Sequence, residues 1–232
     1  MLSVVIPAYN EEARIGATIE AITAYLAASG EDYELLVVDD GSTDRTTRLV
    51  EESSRFNPRI QLLRLSTNRG KGAAVRTGVL ATTGDQVLVS DADLATPIAE
   101  LARLRARLDA GCPIVIGSRA LTGADIIVRQ HPLRELMGRT FNVLVQLLVM
   151  RGIADTQCGF KLFAGPVARE LFAASQIDGF AFDVEVLLLA RLRYKVAEVP
   201  VVWRHVEQSK VSPGRDAARM LWDVVKLRRR RQ

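Results

Sequence analysis

The stretch QVLVSDADLATP, residues 86–97, places two carboxylates directly behind a short apolar run. Residues 87–89 predict a buried strand, and Asp91 and Asp93 follow it with a single residue between them. Two like charges at this spacing repel each other, so the pair needs a positive partner nearby. The remainder of the sequence must supply that cation or bind one.

Four other runs share the character of this strand. They are short, rich in β-branched residues and almost continuously apolar, which is typical of strands buried on both faces of a sheet. In chain order they read LSVVIP, ELLVVD, IQLLRL and, after the strand at 86–90, PIVIG. Segments of helical period occupy residues 12–28, 43–55, 72–81 and 97–108. This alternation predicts an α/β fold with a doubly wound, mostly parallel sheet flanked by helices.

The length and composition indicate a globular cytoplasmic protein. The chain has 232 residues, 48% of them hydrophobic, which is enough for the core of one domain. Cys112 and Cys158 lack the paired spacing of a disulfide framework or a zinc site, which suits a reducing compartment. The opening segment MLSVVIPAYNEE has no basic region before its apolar run, so we interpret it as a strand and not as a signal peptide.

Carboxylates, glycines and cations follow the predicted strands at their carboxyl ends, the edge where open parallel sheets bind ligands. The segments read PAYNEE, DDGSTD, STNRGKG, SDAD and GSR. Taken alone, DDGSTD is typical of a turn with a helix cap. NRGKG is either a turn with a solvated lysine or a helix N-terminus whose amides approach a phosphate. Because five segments converge on one edge, we expect the functional site there.

The pair Asp91 and Asp93 has two interpretations. It is a solvated turn, or it is a site of hard oxygen ligands for Mg²⁺ or Mn²⁺, which take their remaining ligands from substrate phosphates. We favour the second, because a carboxylate pair at a strand end opposes stability and is typical of a functional site. The missing positive charge is then a metal ion that carries a nucleoside diphosphate.

In their order and spacing, VVIPAYNEE, VVDDGSTD, NRGKGAAVRTG, SDADLAT and GSR resemble the GT-A domain of the family 2 glycosyltransferases. These enzymes transfer a sugar from a nucleotide donor with inversion. The segments DTQCGFKLF, FAFDVEVLLLARLRYKVAEVPVVW and EQSKVSP resemble the dolichyl-phosphate β-glucosyltransferase branch and related prokaryotic polyprenyl-phosphate glycosyltransferases. The resemblance implies one GT-A domain over residues 1–232, with a nucleotide-sugar-binding half at 1–120 and an acceptor-side half with interfacial helices at 121–232.

The resemblance also implies site residues, taken over position by position. The nucleotide pocket would contain Pro7, Ala8, Tyr9 and Glu11, with Asp39 or Asp40 reading the base. The ribose and the metal-bound diphosphate would contact Asp91, Ala92 and Asp93, with Asp91 and Asp93 as the metal ligands. Cations near the donor phosphates would be Lys71, Arg76 and Arg119. The residues facing the sugar and the acceptor would be Asp155, Gln157, Lys161, Asp183 and Glu185; of these Asp155, Lys161, Asp183 and Glu185, together with Asp93, are the catalytic candidates.

The implied reaction transfers a hexose, glucose in our interpretation, from a nucleoside diphosphate sugar to a polyprenyl or dolichyl phosphate. The acceptor phosphate is already largely ionised near neutral pH, so this reaction needs no strong general base. Two alternatives stay open: mannosyl transfer from GDP-mannose to the same lipid, and transfer to a saccharide or small-molecule hydroxyl. A hydroxyl acceptor would need a carboxylate to take its proton, and Asp155, Asp183 or Glu185 could serve.

Two segments bear on the lipid substrate. The sequence from 133 to 150 is apolar nearly all round, with a polar stripe at Glu135, Arg139, Asn142 and Gln146, and is either buried core or a helix in the membrane interface. A last helix from about residue 215 carries Trp222 and ends in Arg228 to Arg231, which is either a solvated tail or a site for anionic headgroups.

Together the two segments favour a peripheral protein at the inner face of the membrane, without the N-terminal anchor of eukaryotic members. A separate membrane protein is a possible partner. Nucleic acid is not expected as a partner, because the basic tail KLRRRRQ lacks interleaved aromatics and the acidic strand ends repel a phosphate backbone.

Overall fold

Seven strands form the central sheet in a computed structural model that describes residues 1–128, 138, 140–146, 149–150, 152–204 and 215–230. They are β1 (Leu2–Ala8), β2 (Tyr33–Asp39), β3 (Ile60–Arg64), β4 (Gln86–Ser90), β5 (Ile114–Ser118), β7 (Phe160–Ala164) and β8 (Val196–Pro200). A separate pair joins β6 (Asp125–Val128) to β9 (Val202–Arg204). The order across the large sheet is β3-β2-β1-β4-β7-β5-β8. Neighbouring strands are parallel except at β7, which is antiparallel to both β4 and β5.

Helices cover both faces of this sheet. They are α1 (Ile15–Ala28), α2 (Thr46–Phe56), α3 (Lys71–Ala81), α4 (Leu101–Asp109, after a 3-10 turn at Ile98–Glu100), α5 (residues 140–146), α6 (Gly165–Ala174), α7 (Phe182–Arg191) and α8 (Arg215–Arg230). The buried side chains of α1, α2 and α4 belong to one hydrophobic cluster, and those of α3, α5, α6, α7 and α8 belong to another. The sheet separates the two clusters, so the predicted doubly wound, mostly parallel sheet is confirmed.

The strand β1 shows why the predicted strands are apolar without alternation. Leu2, Val4 and Ile6 pack into the first cluster, whereas Val5 packs into the second. Successive side chains of a strand point to opposite faces, so a strand with a helix layer on each side buries every position.

The strand β7 is not among the strands predicted from the sequence. Its five residues read FKLFA, and Lys161 interrupts the apolar run that would have indicated a strand. All four residues from Phe160 to Phe163 are nonetheless buried, because β7 lies between β4 and β5 in the middle of the sheet. Its position brings the preceding segment DTQCG to the carboxyl end of β4, where Asp91 N donates to Gly159 O at 3.1 Å.

The two segments linked to the membrane are described only in part. In the first, Val145 is buried and Val143 is exposed, while Asn142 Nδ2 donates to the carbonyl of Ala154. Glu135 and Arg139 of the predicted polar stripe lie outside the described residues, as do the segment EQSKVSP and Arg231. Within the described ranges, no helix combines the length and the apolar character that crossing a membrane requires.

Candidate active site

The carboxylate pair that follows β4 meets a lysine from α3. Lys71 Nζ lies 2.6 Å from Asp91 Oδ1, and this ion pair joins the strand-end segment SDAD to NRGKG. The helix α3 begins at Lys71 because the residue before it, Gly70, has a φ of 112°, a conformation that favours glycine. Burial tends to lower the pKa of Lys71, but Asp91 and Asp183 outweigh it, so the pKa is raised and the ammonium stays charged.

Asp93 belongs to the same group of charged residues. Burial is the main reason that the pKa of Asp93 is raised, and the neighbouring charge of Asp91 raises it further. Asp93 Oδ1 accepts a hydrogen bond from Ala95 N at 3.0 Å, which fixes the turn after β4. Arg14, which our sequence analysis did not single out, interacts electrostatically with both aspartates and pairs with Glu11 through Nη2 and Oε1 at 3.0 Å.

A second ion pair lies next to the pair of Lys71 and Asp91. Lys161 Nζ on β7 lies 2.5 Å from Asp183 Oδ1, in the first turn of α7, and both residues are buried. Burial raises the pKa of Asp183 even though Lys161 and Lys71 act in the opposite direction. The structure therefore gathers three carboxylates and three cations from five segments of the chain: Arg14, Asp93, Asp91, Lys71, Asp183 and Lys161.

Arg119 and Asp155 form a third pair beside this group. Arg119 Nε lies 2.7 Å from Asp155 Oδ2 and Nη2 lies 2.9 Å from Oδ1, so the pairing is bidentate. Trp203 covers the guanidinium, with 5.5 Å from Cζ to the ring centroid. Burial tends to raise the pKa of Asp155, but Arg119 overcomes this and lowers it. Gln157 N donates to Asp155 Oδ1 at 3.2 Å, which adds a further contact to this carboxylate.

The predicted nucleotide pocket lies where β1 and β2 end side by side. Pro7 and Ala8 are the last residues of β1 and are buried, and Ala8 O accepts a hydrogen bond from Asp40 N at 2.8 Å. Tyr9 is half-buried just beyond them. Ala92 approaches from the end of β4, and its carbonyl accepts from Thr18 Oγ1 at 2.6 Å. These residues therefore share the edge that also holds Lys71.

Three of the predicted acidic residues use their carboxylates to hold backbone or helix ends. Asp39 accepts from Ser42 N at 3.1 Å and from Thr47 Oγ1 at 3.0 Å. Asp40 accepts from the amides of Arg69 and Gly70, each at 2.8 Å, and burial raises its pKa. Glu185 accepts from the amides of Gln176 and Ile177, at 2.8 Å and 2.7 Å. The structure thus gives each of them a framework contact, and base recognition by Asp39 or Asp40 stays a prediction.

Arg76 is on α3 but is not paired with the strand-end aspartates. Its guanidinium pairs with Asp178, in the loop before α7. Nη1 of Arg76 is buried and has no hydrogen-bond partner within the described part of the chain. Arg76 and Asp178 lie far apart in the sequence, so no local pattern could have indicated this contact.

The pair Asp91 and Asp93 fits a divalent metal. Asp91 Oδ1 contacts Lys71 Nζ at 2.6 Å, so a metal ion would share this carboxylate with the lysine. No cluster of three or more His, Cys, Asp or Glu side chains suited to a metal occurs in the described ranges. The protein would therefore contribute two carboxylates, and a substrate diphosphate would complete the shell, which is the arrangement that Mg²⁺ and Mn²⁺ commonly adopt.

Comparison with known proteins gives evidence on the family of this chain that is independent of the site geometry. Residues 3–172 match the sequence model of the family described as Glycosyl transferase family 2. The chain is 38% identical to the dolichyl-phosphate beta-glucosyltransferase of Dictyostelium discoideum, over 98% of this chain and 73% of the relative. It is 35% identical to the Homo sapiens enzyme of the same name, over 99% of this chain and 75% of the relative.

Solved structures resemble the chain in fold. Glucosyl-3-phosphoglycerate synthase from Mycobacterium tuberculosis in complex with UDP has a TM-score of 0.74 at 23% identity, covering 98% of this chain and 80% of that one. The same enzyme in complex with Mn²⁺, UDP-glucose and phosphoglyceric acid has a TM-score of 0.74 at 22% identity, covering 98% and 79%. At this identity the likeness concerns the arrangement of strands and helices.

Proposed function

Because the chain belongs to the family 2 glycosyltransferases, we propose that it transfers glucose, with inversion, from a nucleoside diphosphate sugar to a polyprenyl or dolichyl phosphate. The observation that carries this proposal is the ion pair of Lys71 with Asp91 next to Asp93, at the carboxyl edge of the sheet. Relatives that are 35–41% identical and bear the name dolichyl-phosphate beta-glucosyltransferase support the choice of glucose and of the lipid phosphate.

The donor is UDP-glucose, bound with Mg²⁺ or Mn²⁺. Asp91 and Asp93 would hold the metal, which would supply charge stabilisation to the leaving diphosphate. Lys71 contributes a permanent positive charge beside them, since its raised pKa keeps it protonated at neutral pH. A preorganised cation of this kind stabilises negative charge that develops on a leaving group without reorganising during the reaction.

The acceptor side requires orientation more than proton transfer. A lipid phosphate presents an oxygen that is already ionised, so the enzyme has only to hold it in line with the sugar. The pairing of Asp155 with Arg119 fits this requirement, because a carboxylate whose pKa is lowered is a weak proton acceptor. We assign Arg119 and Lys161 to the neutralisation of the two phosphate-bearing substrates.

The helix α8 provides the contact with the membrane. Its inner side packs Val224 and Leu227 into the core, while Leu221 and Trp222 are 40% and 56% exposed. Lys226 Nζ lies 5.6 Å from the ring centroid of Trp222, so a cation accompanies the exposed aromatic side chain. An aromatic and aliphatic face flanked by basic residues is typical of helices that lie in the interface of an anionic membrane. We propose that the enzyme binds peripherally at the cytoplasmic face.

One observation favours a different acceptor. Asp183 is buried with a raised pKa, and a carboxyl group of that kind can act as a general base toward a hydroxyl. The alternative function is therefore glucosyl transfer to a saccharide or small-molecule alcohol by the same donor site. It differs from our proposal in the acceptor alone.

One experiment separates these functions. The protein is incubated with Mn²⁺ and radiolabelled UDP-glucose or GDP-mannose, together with either a polyprenyl phosphate or a simple alcohol. We expect label from UDP-glucose in the lipid fraction. Label from GDP-mannose instead would correct the donor, and label in the alcohol but not in the lipid phosphate would establish the alternative acceptor.

A further inference from the structure

The loop at residues 176–179 packs closely against the backbone of the turn that carries Lys71. A side chain at Gly70 would place its Cβ 2.5 Å from the carbonyl oxygen of Asp178. A side chain at Gly72 would clash with the carbonyl oxygen of Ile177 and would lie 2.7 Å from Phe182 Cβ. Both residues that flank Lys71 are therefore in backbone contact with this loop, which leaves no space for a side chain.

Asp178 binds this turn in three further ways. Its backbone carbonyl accepts a hydrogen bond from Ala73 N at 3.2 Å, in the first turn of α3. Its carboxylate pairs with Arg76, further along α3, and lies 3.5 Å from Arg69 Nη2, just before the helix. Arg69 and Arg76, which precede and follow Lys71 in the chain, therefore both contact the carboxylate of Asp178.

The loop itself is held from the opposite side. Glu185 accepts hydrogen bonds from the amides of Gln176 and Ile177, and Ile177 packs against the second hydrophobic cluster. Glu185 belongs to the first turn of α7, which also places Asp183 beside Lys161. The position of Lys71 is therefore fixed against the same helix end that holds the second ion pair of the site.

We propose that Asp178 is a positioning residue for the donor site. It holds the first turn of α3 so that Lys71 Nζ remains beside Asp91, and through Lys71 it sets the affinity for a nucleoside diphosphate. Asp178 need not touch the nucleotide. The inference rests on the proposed function only for the identity of that ligand.

The test measures UDP binding in the presence of Mn²⁺, by titration calorimetry, in a double-mutant cycle. Asp178→Asn removes the charge and keeps the shape, and Lys71→Met removes the ammonium and keeps most of the stem. If Asp178 acts through Lys71, Asp178→Asn weakens binding about tenfold in the wild-type protein and less than about twofold in the Lys71→Met protein. A contribution to folding alone would not produce this difference between the two backgrounds.

A matched control is available at the opposite edge of the sheet. Glu31 and Arg105 form a pair at 2.7 Å with side chains 24% and 25% exposed, comparable with Asp178 and Arg76 at 32% and 17%. Glu31→Gln should leave UDP binding unchanged. A second comparison uses glycines. Gly72→Ala should reproduce the effect of Asp178→Asn, whereas Gly16→Ala should not, because its Cβ would meet no atom within 4 Å in the described part of the chain.

Three results would overturn the inference. Equal losses from Asp178→Asn in both backgrounds would show that it acts independently of Lys71. Unchanged UDP binding in both Asp178→Asn and Gly72→Ala would show that the loop does not set the position of Lys71. A wild-type protein that does not bind UDP with Mn²⁺ would overturn the donor assignment as well, whereas failure to glucosylate the lipid with the coupling intact would overturn only the proposed acceptor.

Discussion

Lys71 Nζ lies 2.6 Å from Asp91 Oδ1, so the carboxylate pair after β4 already has a cation within contact distance. That cation neutralises only part of the charge, because Asp93 remains beside Asp91 and its pKa is raised by burial and by this neighbour. Arg14 interacts electrostatically with both aspartates and offsets the remaining charge, so a divalent metal bound here would bring positive charge for a substrate diphosphate. We expect Lys71 to contact that diphosphate as well.

Asp93→Asn should lower turnover by at least about a hundredfold without destabilising the protein. On the proposed function the carboxylate binds the metal, and it repels Asp91, so its neutral isostere would remove a ligand and also a repulsion. Turnover is measured at limiting Mn²⁺, and stability by urea unfolding. Asp85→Asn, at an exposed site paired with the N-terminus, is the control and should leave turnover unchanged. Near-normal turnover of the Asp93→Asn protein at limiting metal would contradict the metal assignment.

We expect the free energy of unfolding of the protein to depend on pH in acid because of Asp155. Its pKa is lowered in the folded protein from an ordinary value of 3.8, so its contribution is present above pH 3.8 and is lost as the pH falls through the folded value. Asp155→Asn leaves the half-buried Arg119 without its charged partner and should cost about 2 kcal/mol at pH 7.

The measurement is the free energy of unfolding of the wild-type and Asp155→Asn proteins at a series of pH values from 7 downward. The difference between the two proteins should be constant above pH 5 and should shrink below pH 3.8. A difference that stays constant into strong acid would mean that the pKa of Asp155 is the same in the folded and the unfolded protein.

Gly159→Ala should disable the donor site through Asp91. A Cβ at this position would clash with the Asp91 carboxylate, which packs directly over the glycine. Because Asp91 must then move away from Lys71, we expect UDP binding with Mn²⁺ to weaken by about tenfold or more. Gly138→Ala is a suitable control, since its Cβ would meet no atom of the described residues within 4 Å. Unaltered UDP binding in the Gly159→Ala protein would show that the observed position of Asp91 is not required.

Trp222→Ala should weaken binding to anionic liposomes by about tenfold, because the exposed indole supplies apolar area to the interface. Phe56→Ala is the matched control: Phe56 is 91% exposed but belongs to α2, on the other face of the sheet. Deletion of residues 228–232 should also weaken sedimentation with the liposomes, and added salt should mimic that deletion. If Trp222→Ala and Phe56→Ala weaken liposome binding equally, α8 does not form the membrane contact.

The sequence predicted the strand ends well because each is a local signal. An apolar run followed by polar residues indicates the end of a buried strand, and the parallel arrangement brings such ends to one edge. The same logic placed Asp91, Asp93 and Lys71 in one region. It did not predict that Lys71 contacts Asp91, since NRGKG alone is compatible with a solvated lysine.

Contacts between distant segments could not be predicted in this way. Arg119 meets Asp155, and Arg76 meets Asp178, through the packing of elements that no periodicity relates. Arg14 was missed because an arginine directly before a helix is usually a solvent-exposed surface residue. The strand β7 was missed because burial of Lys161 depends on Asp183, which lies in another element.

The central place of β7 has a consequence for folding. The ladder between β4 and β7 joins residue 86 to residue 164, so the middle of the sheet forms only after most of the chain has been synthesised. A fragment ending at residue 120 would leave β4 and β5 with unpaired inner edges, which favour aggregation. We infer that residues 1–120 do not form this sheet by themselves, because β7 completes the sheet whose β4 precedes Asp91.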